Sequence, residues 1–427
     1  MEKYAPKKLL LILLAGLLLR IYKLGYIPAG LSPIEIDFGL KMSETLGDRV
    51  LSPFIVRLPF AFIGVLSIYL FFILIERLGI NRKVVLISTF ILTITPWHIS
   101  ESRIYSIDLL IFIAFILLGI LLTPLIKNRP LFLGTALLIL TAVIFTISVF
   151  NLEKSYADRI EVVRRTAGEL PPVLTKAFSN KYIESIRYRL SSVFEGLDFG
   201  YYFFNGHPRE RWGFEETQKL LLPMLIFAAI GLKKVGIRYI YLEISYFVFI
   251  LAFYALMDVS SPGKFLPVLI ILVIPVAYGV DFLIKRHKKI FILLAFFIFF
   301  ETALYFNGYM KGVSESLFSP RRPVYSDVAK TLDEVKREKV IISDNLQEIG
   351  NYIEFYNAGD VLSNYQFRTL YPDKESGLEV YVDIKPTDKD PLNPYYKNNG
   401  IIMEKINLIA ELKDGARGRS IIIFNYK

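Results

Sequence analysis

The sequence predicts a polytopic α-helical membrane protein of about nine transmembrane helices, followed by a small α/β domain. Three observations carry that reading. Hydrophobic residues make up 54% of the 427-residue chain, and the mean hydropathy is +0.45. The apolar residues come in blocks of about 20, the length that crosses the hydrocarbon core as a helix. The basic residues between blocks fall on alternate turns, as the positive-inside rule asks of one membrane face.

Taken in order, spans are expected at 7–26, 54–77, 83–100, 105–126, 131–150, 218–234, 238–257, 264–284 and 288–307. The first begins like a signal peptide, with Lys7 and Lys8 ahead of Leu9–Leu19. Arg20 and Lys23 stand where the small residues of a cleavage site would be, so it reads as a retained span. With the N-terminus inside, Arg77/Arg82/Lys83, Lys127/Arg129, Lys233/Lys234/Arg238 and Lys285/Arg286/Lys288/Lys289 all lie on one side. Orientation thus absorbs much of the net charge of +10, and no nucleic-acid partner is implied. The expectation is a multi-pass protein of the plasma membrane among its lipids, N-terminus cytoplasmic and C-terminal domain extracytoplasmic.

That topology divides the chain into a transmembrane domain, 1–310, with outside loops 27–53 and 151–217, and an extracytoplasmic α/β domain, 311–427. The long loop is basic, but loops beyond about 60 residues translocate regardless of charge. Its segment Lys176–Glu195 is amphipathic and is expected along the membrane surface. In the last domain Asp327–Lys339 reads as a charged helix. Val340–Ser343, Val380–Ile384 and Ser420–Phe424 read as strands between turn residues. The absence of cysteine excludes a thiolate metal site, and three histidines (His98, His207, His287) argue against an all-histidine one. No dinucleotide or Walker fingerprint occurs, and no internal repeat suggests a transporter of inverted halves. A transporter is further disfavoured because the ionisable residues gather at the rim, with Glu243 and Glu301 the nearest exceptions.

The stretch Ile27–Met42, IPAGLSPIEIDFGLKM, places Glu35 and Asp37 just outside the first span. A carboxylate there suits deprotonation of an acceptor hydroxyl, or a metal, at the water–lipid border. A capped re-entry loop is the competing reading, with Pro28, Gly30 and Pro33 as turn residues and Asp37 as a helix cap. On the same rim stand Arg57, His98, Glu101, Arg103, Asp108, His207, Arg209, Arg211 and Lys264. Arginine suits a phosphate because its fork stays charged and donates two hydrogen bonds. Snorkelling to the headgroups is the alternative for Arg57 and Lys264. His98 beside Trp97 reads as an interfacial residue, and Tyr201–Phe204 as an aromatic belt.

The order of these pieces resembles the GT-C membrane glycosyltransferases, of the kind that includes protein O-mannosyltransferases and the aminoarabinose transferase of lipid A. The resemblance rests on GLSPIEIDFG, VRLPFAFIGVLSIYLFFILIERLG, ITPWHISESRIYSID, YYFFNGHPRERWGFEETQKLLLPMLIFAAIGL and SPGKFLPVLIILVIPVAYGVDFL, over roughly residues 5–310. It implies a polyprenyl-phosphate sugar donor, a glycan, lipid or protein acceptor on the outer face, and inversion at the anomeric carbon. Magnesium or manganese would be the cation if a metal is used. The family's first-loop Asp-Glu pair falls on Ile34 and Glu35, with Asp37 two residues on. Arg103 matches its arginine after the third span, Asp108 lies near its second acidic position, and Lys264 opens the eighth span. Glu35 and Asp37 are the implied catalytic carboxylates. Arg57, Arg103, Asp108, His207, Arg209 and Lys264 are the implied substrate-binding residues. The missing aspartate, with a first loop too short for the family's surface helix, leaves an alternative: a catalytically reduced relative that binds a lipid phosphate or glycan.

Overall fold

The computed structural model describes residues 5–28, 30–46, 51–150, 181–203, 219–235, 237–257, 264–310, 323–335, 339–343, 346, 349–356, 365–368, 379–384, 406–414 and 419–426. The first part of the chain forms α1 (Ala5–Ile21), α2 (Pro33–Leu46), α3 (Pro53–Arg77), α4 (Arg82–Ile94), α5 (Pro96–Glu101), α6 (Ile107–Asn128) and α7 (Pro130–Phe150). After the long loop come α8 (Lys181–Leu197), α9 (Phe199–Phe203), α10 (Leu222–Leu232), α11 (Ile237–Met257), α12 (Leu269–Arg286) and α13 (Lys288–Met310). Among the described residues six helical stretches are long and apolar enough to cross a membrane unaided: 53–77, 107–128, 130–147, 239–256, 266–286 and 288–307. The helices α1, α4 and α10, at the other three expected spans, are shorter.

The third expected span is broken for a local reason. Pro96 holds Thr95 extended (φ −63°, ψ 123°), so α4 stops at Ile94 and the separate turn α5 begins. Elsewhere the helix ends carry their own caps. Ser106 Oγ accepts from Leu109 N (3.2 Å) and Asn81 Oδ1 from Lys83 N (2.9 Å). Glu301 Oε2 accepts from Leu222 N (2.9 Å), putting a carboxylate at the positive end of α10.

Two glycines let α10 and α12 touch backbone to backbone. A Cβ on Gly231 would lie 1.8 Å from the Pro275 carbonyl oxygen, and one on Gly279 2.0 Å from that of Phe227. Close approach through small residues replaces the hydrophobic drive that lipid removes. The alternating helices gather the basic turns at one end, where Asp281 Oδ1 and Oδ2 pair with Lys83 (3.1 Å) and Lys285 (2.6 Å). The first loop, α5 and the starts of α3, α6, α10 and α12 form the opposite rim.

The C-terminal region has α14 (Pro323–Val335), β1 (Lys339–Ser343), α15 (Ile349–Tyr356), β2 (Tyr365–Arg368), β3 (Glu379–Ile384), β4 (Ile406–Asp414) and β5 (Arg419–Tyr426). The sheet order is β2-β1-β3-β5-β4, with β1 parallel to β2 and β3, and β5 antiparallel to β3 and β4. Side chains alternate between faces. Val340, Ile342, Val380, Val382, Ile421 and Ile423 meet α14 and α15, while Ile341, Tyr381, Ile422 and Phe424 form a second cluster.

The first of these cores does not stop at the domain. It continues through Leu31, Ile36, Leu51 and Val56, so α2 lies between the sheet domain and the membrane body. Tyr352 donates to the Leu31 carbonyl (2.7 Å), and Asn351 Nδ2 to Asp37 Oδ1 (3.1 Å). Gly39 is the close point: a Cβ there would stand 2.5 Å from Phe355 Cε2.

Candidate active site at the charged rim

Ser32 and Glu35 form the capping box that starts α2. Ser32 N donates to Glu35 Oε2 (2.8 Å), and Glu35 N to Ser32 Oγ (3.2 Å). The cap is therefore Ser32, not Asp37. The other oxygen of Glu35 takes Arg57 Nε at 2.9 Å, and both side chains are at most 1% exposed. Arg57 also donates to the carbonyls of Leu24 (3.2 Å), Pro28 (2.8 Å) and Gly30. One guanidinium thus ties the first loop to the start of α3. Ile34 and Asp37 face outward on the same helix.

Arg103 performs the same service for α1. Its Nη1 donates to Leu19 O (2.8 Å) and Arg20 O (3.1 Å), its Nη2 to Tyr22 O (2.8 Å) and Ile27 O (3.0 Å). These include end carbonyls of a helix, which a cation stabilises. The arginines singled out for a phosphate therefore direct these donors at backbone carbonyls.

Beneath them lies a buried chain that sequence reasoning missed. Arg20 Nη1 donates to Gly16 O (2.8 Å), and its Nη2 contacts His98 Nδ1 at 2.6 Å. Arginine has no acceptor, so Nδ1 must accept. His98 Nε2 then carries the proton and donates to Ser67 Oγ (2.8 Å), which donates to Gly64 O (2.8 Å). His98 is fully buried rather than interfacial. Arg20 falls inside the first expected span, 7–26, and its four-residue distance from Gly16 is the one available signal.

Glu101 and Asp108 stand at the two ends of the α5–α6 turn, both at most 2% exposed. Ser106 Oγ donates to Glu101 Oε2 (2.5 Å), and Tyr254 donates to Asp108 Oδ1 (2.9 Å). Around them lie Trp97, Tyr201, Tyr202 and Phe265. Trp97 meets Tyr202 at 5.9 Å between ring centroids, and Tyr254 meets Phe265 at 5.2 Å. Lys219 puts its ammonium 3.1 Å from the Tyr201 ring centroid and 5.7 Å from that of Trp97. Lys264 is 8% exposed, and its carbonyl accepts from Tyr201 OH (3.3 Å). Phe265, next in the chain, has φ +69°, a left-handed conformation costly for a bulky side chain. Such strain clusters at functional sites.

Phe38 of α2 joins the two loops: its ring lies 5.3 Å from Tyr105 and 5.6 Å from Phe60. The structure therefore brings Glu35 to Arg57, and Asp108 to Tyr254. It sets Asp37 apart on the outer face, toward Asn351. His207, Arg209 and Arg211 lie outside the described residues. Among the described residues no three His, Cys, Asp or Glu side chains come together to hold a metal ion.

The described residues thus form a helical membrane body with charged loops collected at one rim and a small sheet domain seated on them. Residues 20–152 match the family model described as dolichyl-phosphate-mannose-protein mannosyltransferase. The match takes in Glu35, Arg57, Arg103 and Asp108. Among solved structures the chain is similar to the Archaeoglobus fulgidus oligosaccharyltransferase, crystallised in complex with zinc and sulfate. The identity is 12% and the TM-score 0.32, over 84% of this chain and 58% of that one, so this chain spans less than two thirds of that protein's length. No curated protein matches.

Proposed function

We propose that this protein transfers a sugar from a polyprenyl-phosphate donor to an acceptor hydroxyl on the extracytoplasmic face. The observation that supports it most is the match over residues 20–152, whose residues form both rim loops and their buried ties. Asp37 is the base of this reading, because of the pair Glu35 and Asp37 it is the carboxylate that is turned outward. It takes the acceptor proton while the oxygen attacks the anomeric carbon from the face opposite the phosphate. The sugar–phosphate bond breaks with its electrons going to the phosphate, which inverts the configuration. Lys264, with His207 and Arg209 from the long loop, stabilises the departing charge. Glu35, Arg57 and Arg103 act as positioning residues that hold the loops, and Asp108 orients Tyr254 at the cleft wall.

A second reading has its own observation: Ile34 occupies the aspartate position of the resemblance and is 56% exposed. On that reading the protein is a reduced relative that binds a lipid phosphate or glycan without transfer. The test is purified protein in lipid with a panel of radiolabelled polyprenyl-phosphate sugars, scoring donor binding and sugar release separately. Release with any donor supports the transferase. Binding across the panel with release from none supports the reduced relative.

A further inference from the structure

A half-enclosed cavity of about 360 Å³ lies at the basic end of the membrane body, among α3, α6, α7, α11 and α12. Its walls are mainly apolar, with Leu74, Phe115, Leu137 and Ile274 among them. That size and lining are those of a site for a small ligand. Three groups interrupt the apolar wall. Glu243 stands about 9 Å into α11 by helical rise, with no hydrogen bond or ion pair among the described residues. Tyr246, on the next turn, has a buried hydroxyl without a hydrogen-bond partner. Lys234 lies toward the basic turn, its ammonium 4.6 Å from the Phe282 ring centroid. An ionisable side chain inside a membrane helix, with no protein partner, marks a ligand or ion site.

We propose that this cavity binds an aminophospholipid from the leaflet at the basic end of the molecule. Its acyl chain fills the apolar walls, its ammonium pairs with Glu243, and its phosphate lies on the Lys234 side. Charge complementarity selects this occupant. A primary ammonium donates hydrogen bonds to Glu243, a choline head has no N–H to give, and a purely anionic head meets the carboxylate with like charge. The Tyr246 hydroxyl gains an ester or phosphate oxygen to donate to. The site lies at the far end from the rim and does not depend on the transferase reading.

The experiment uses the full chain in nanodiscs of equal phosphatidylethanolamine, phosphatidylcholine and phosphatidylglycerol. Lipid retained after mild detergent exchange is counted by native mass spectrometry. Wild type should retain phosphatidylethanolamine over the other two by about tenfold, the worth of one charged hydrogen bond. Glu243→Gln should bring the three near parity, and Leu137→Trp should lower retention of all of them. Equal retention by wild type, preference for the anionic lipid, or an unchanged preference in Glu243→Gln would overturn the site. If the variants fail to fold, phosphatidylethanolamine with a photoreactive acyl chain decides on wild type. It should label peptides within 115–122 or 239–249, and labelling confined elsewhere overturns the site.

Discussion

Buried charge is the main residue-scale feature of the rim. Arg20, Arg57, Arg103, Glu35, His98 and Asp108 are each at most 1% exposed, where an unpaired charge costs several kcal/mol. Their hydrogen bonds explain why they persist, and they separate structural from chemical roles. Glu35→Gln leaves Arg57 buried without its counter-charge, so loss of about 3–5 kcal/mol is expected, read as a lower melting temperature in detergent. Asp37→Asn, on the outer face, should leave the melting temperature nearly unchanged. Glu35, Arg57, Arg103 and Asp108 were legible as charges beside a membrane. Their partners were not, because backbone carbonyls at Leu24, Pro28 and Ile27 leave no trace in side-chain chemistry.

At the scale of elements, α2 is the hinge of the architecture in the sequence as well as in space. It carries the first-loop carboxylates, and its apolar face completes a core whose other members lie some 300 residues later, at Tyr352 and Phe355. That separation kept the contact out of reach of periodicity, which registers only neighbours. The long spans were legible because about 20 apolar residues leave no other solution. Strands β1, β3 and β5 were legible from β-branched alternation, whereas the four-residue β2 and the charged edge strand β4 were not. Phe355→Ala should remove the contact against Gly39 at a cost of about 3–5 kcal/mol. Hydrogen exchange read on α2 and α15 should speed up together. Faster exchange in α15 alone would mean the two helices do not share a core.

In the whole molecule the membrane body, the rim and the sheet domain follow one another in a fixed order, with α2 between body and sheet. The cysteine-free chain makes that order easy to check. Cysteine placed at Lys330 should be labelled in intact cells by an impermeant thiol reagent, and cysteine at Asn81 should not. The central claim is that the rim transfers sugar with Asp37 as base. The measurement that tests it most directly is single-turnover sugar transfer, beside donor binding, for wild type and Asp37→Asn. The account predicts that Asp37→Asn binds the polyprenyl-phosphate sugar as wild type does but transfers it about 10²–10⁴ times more slowly, the worth of a general base. Equal transfer rates in the two proteins would contradict it.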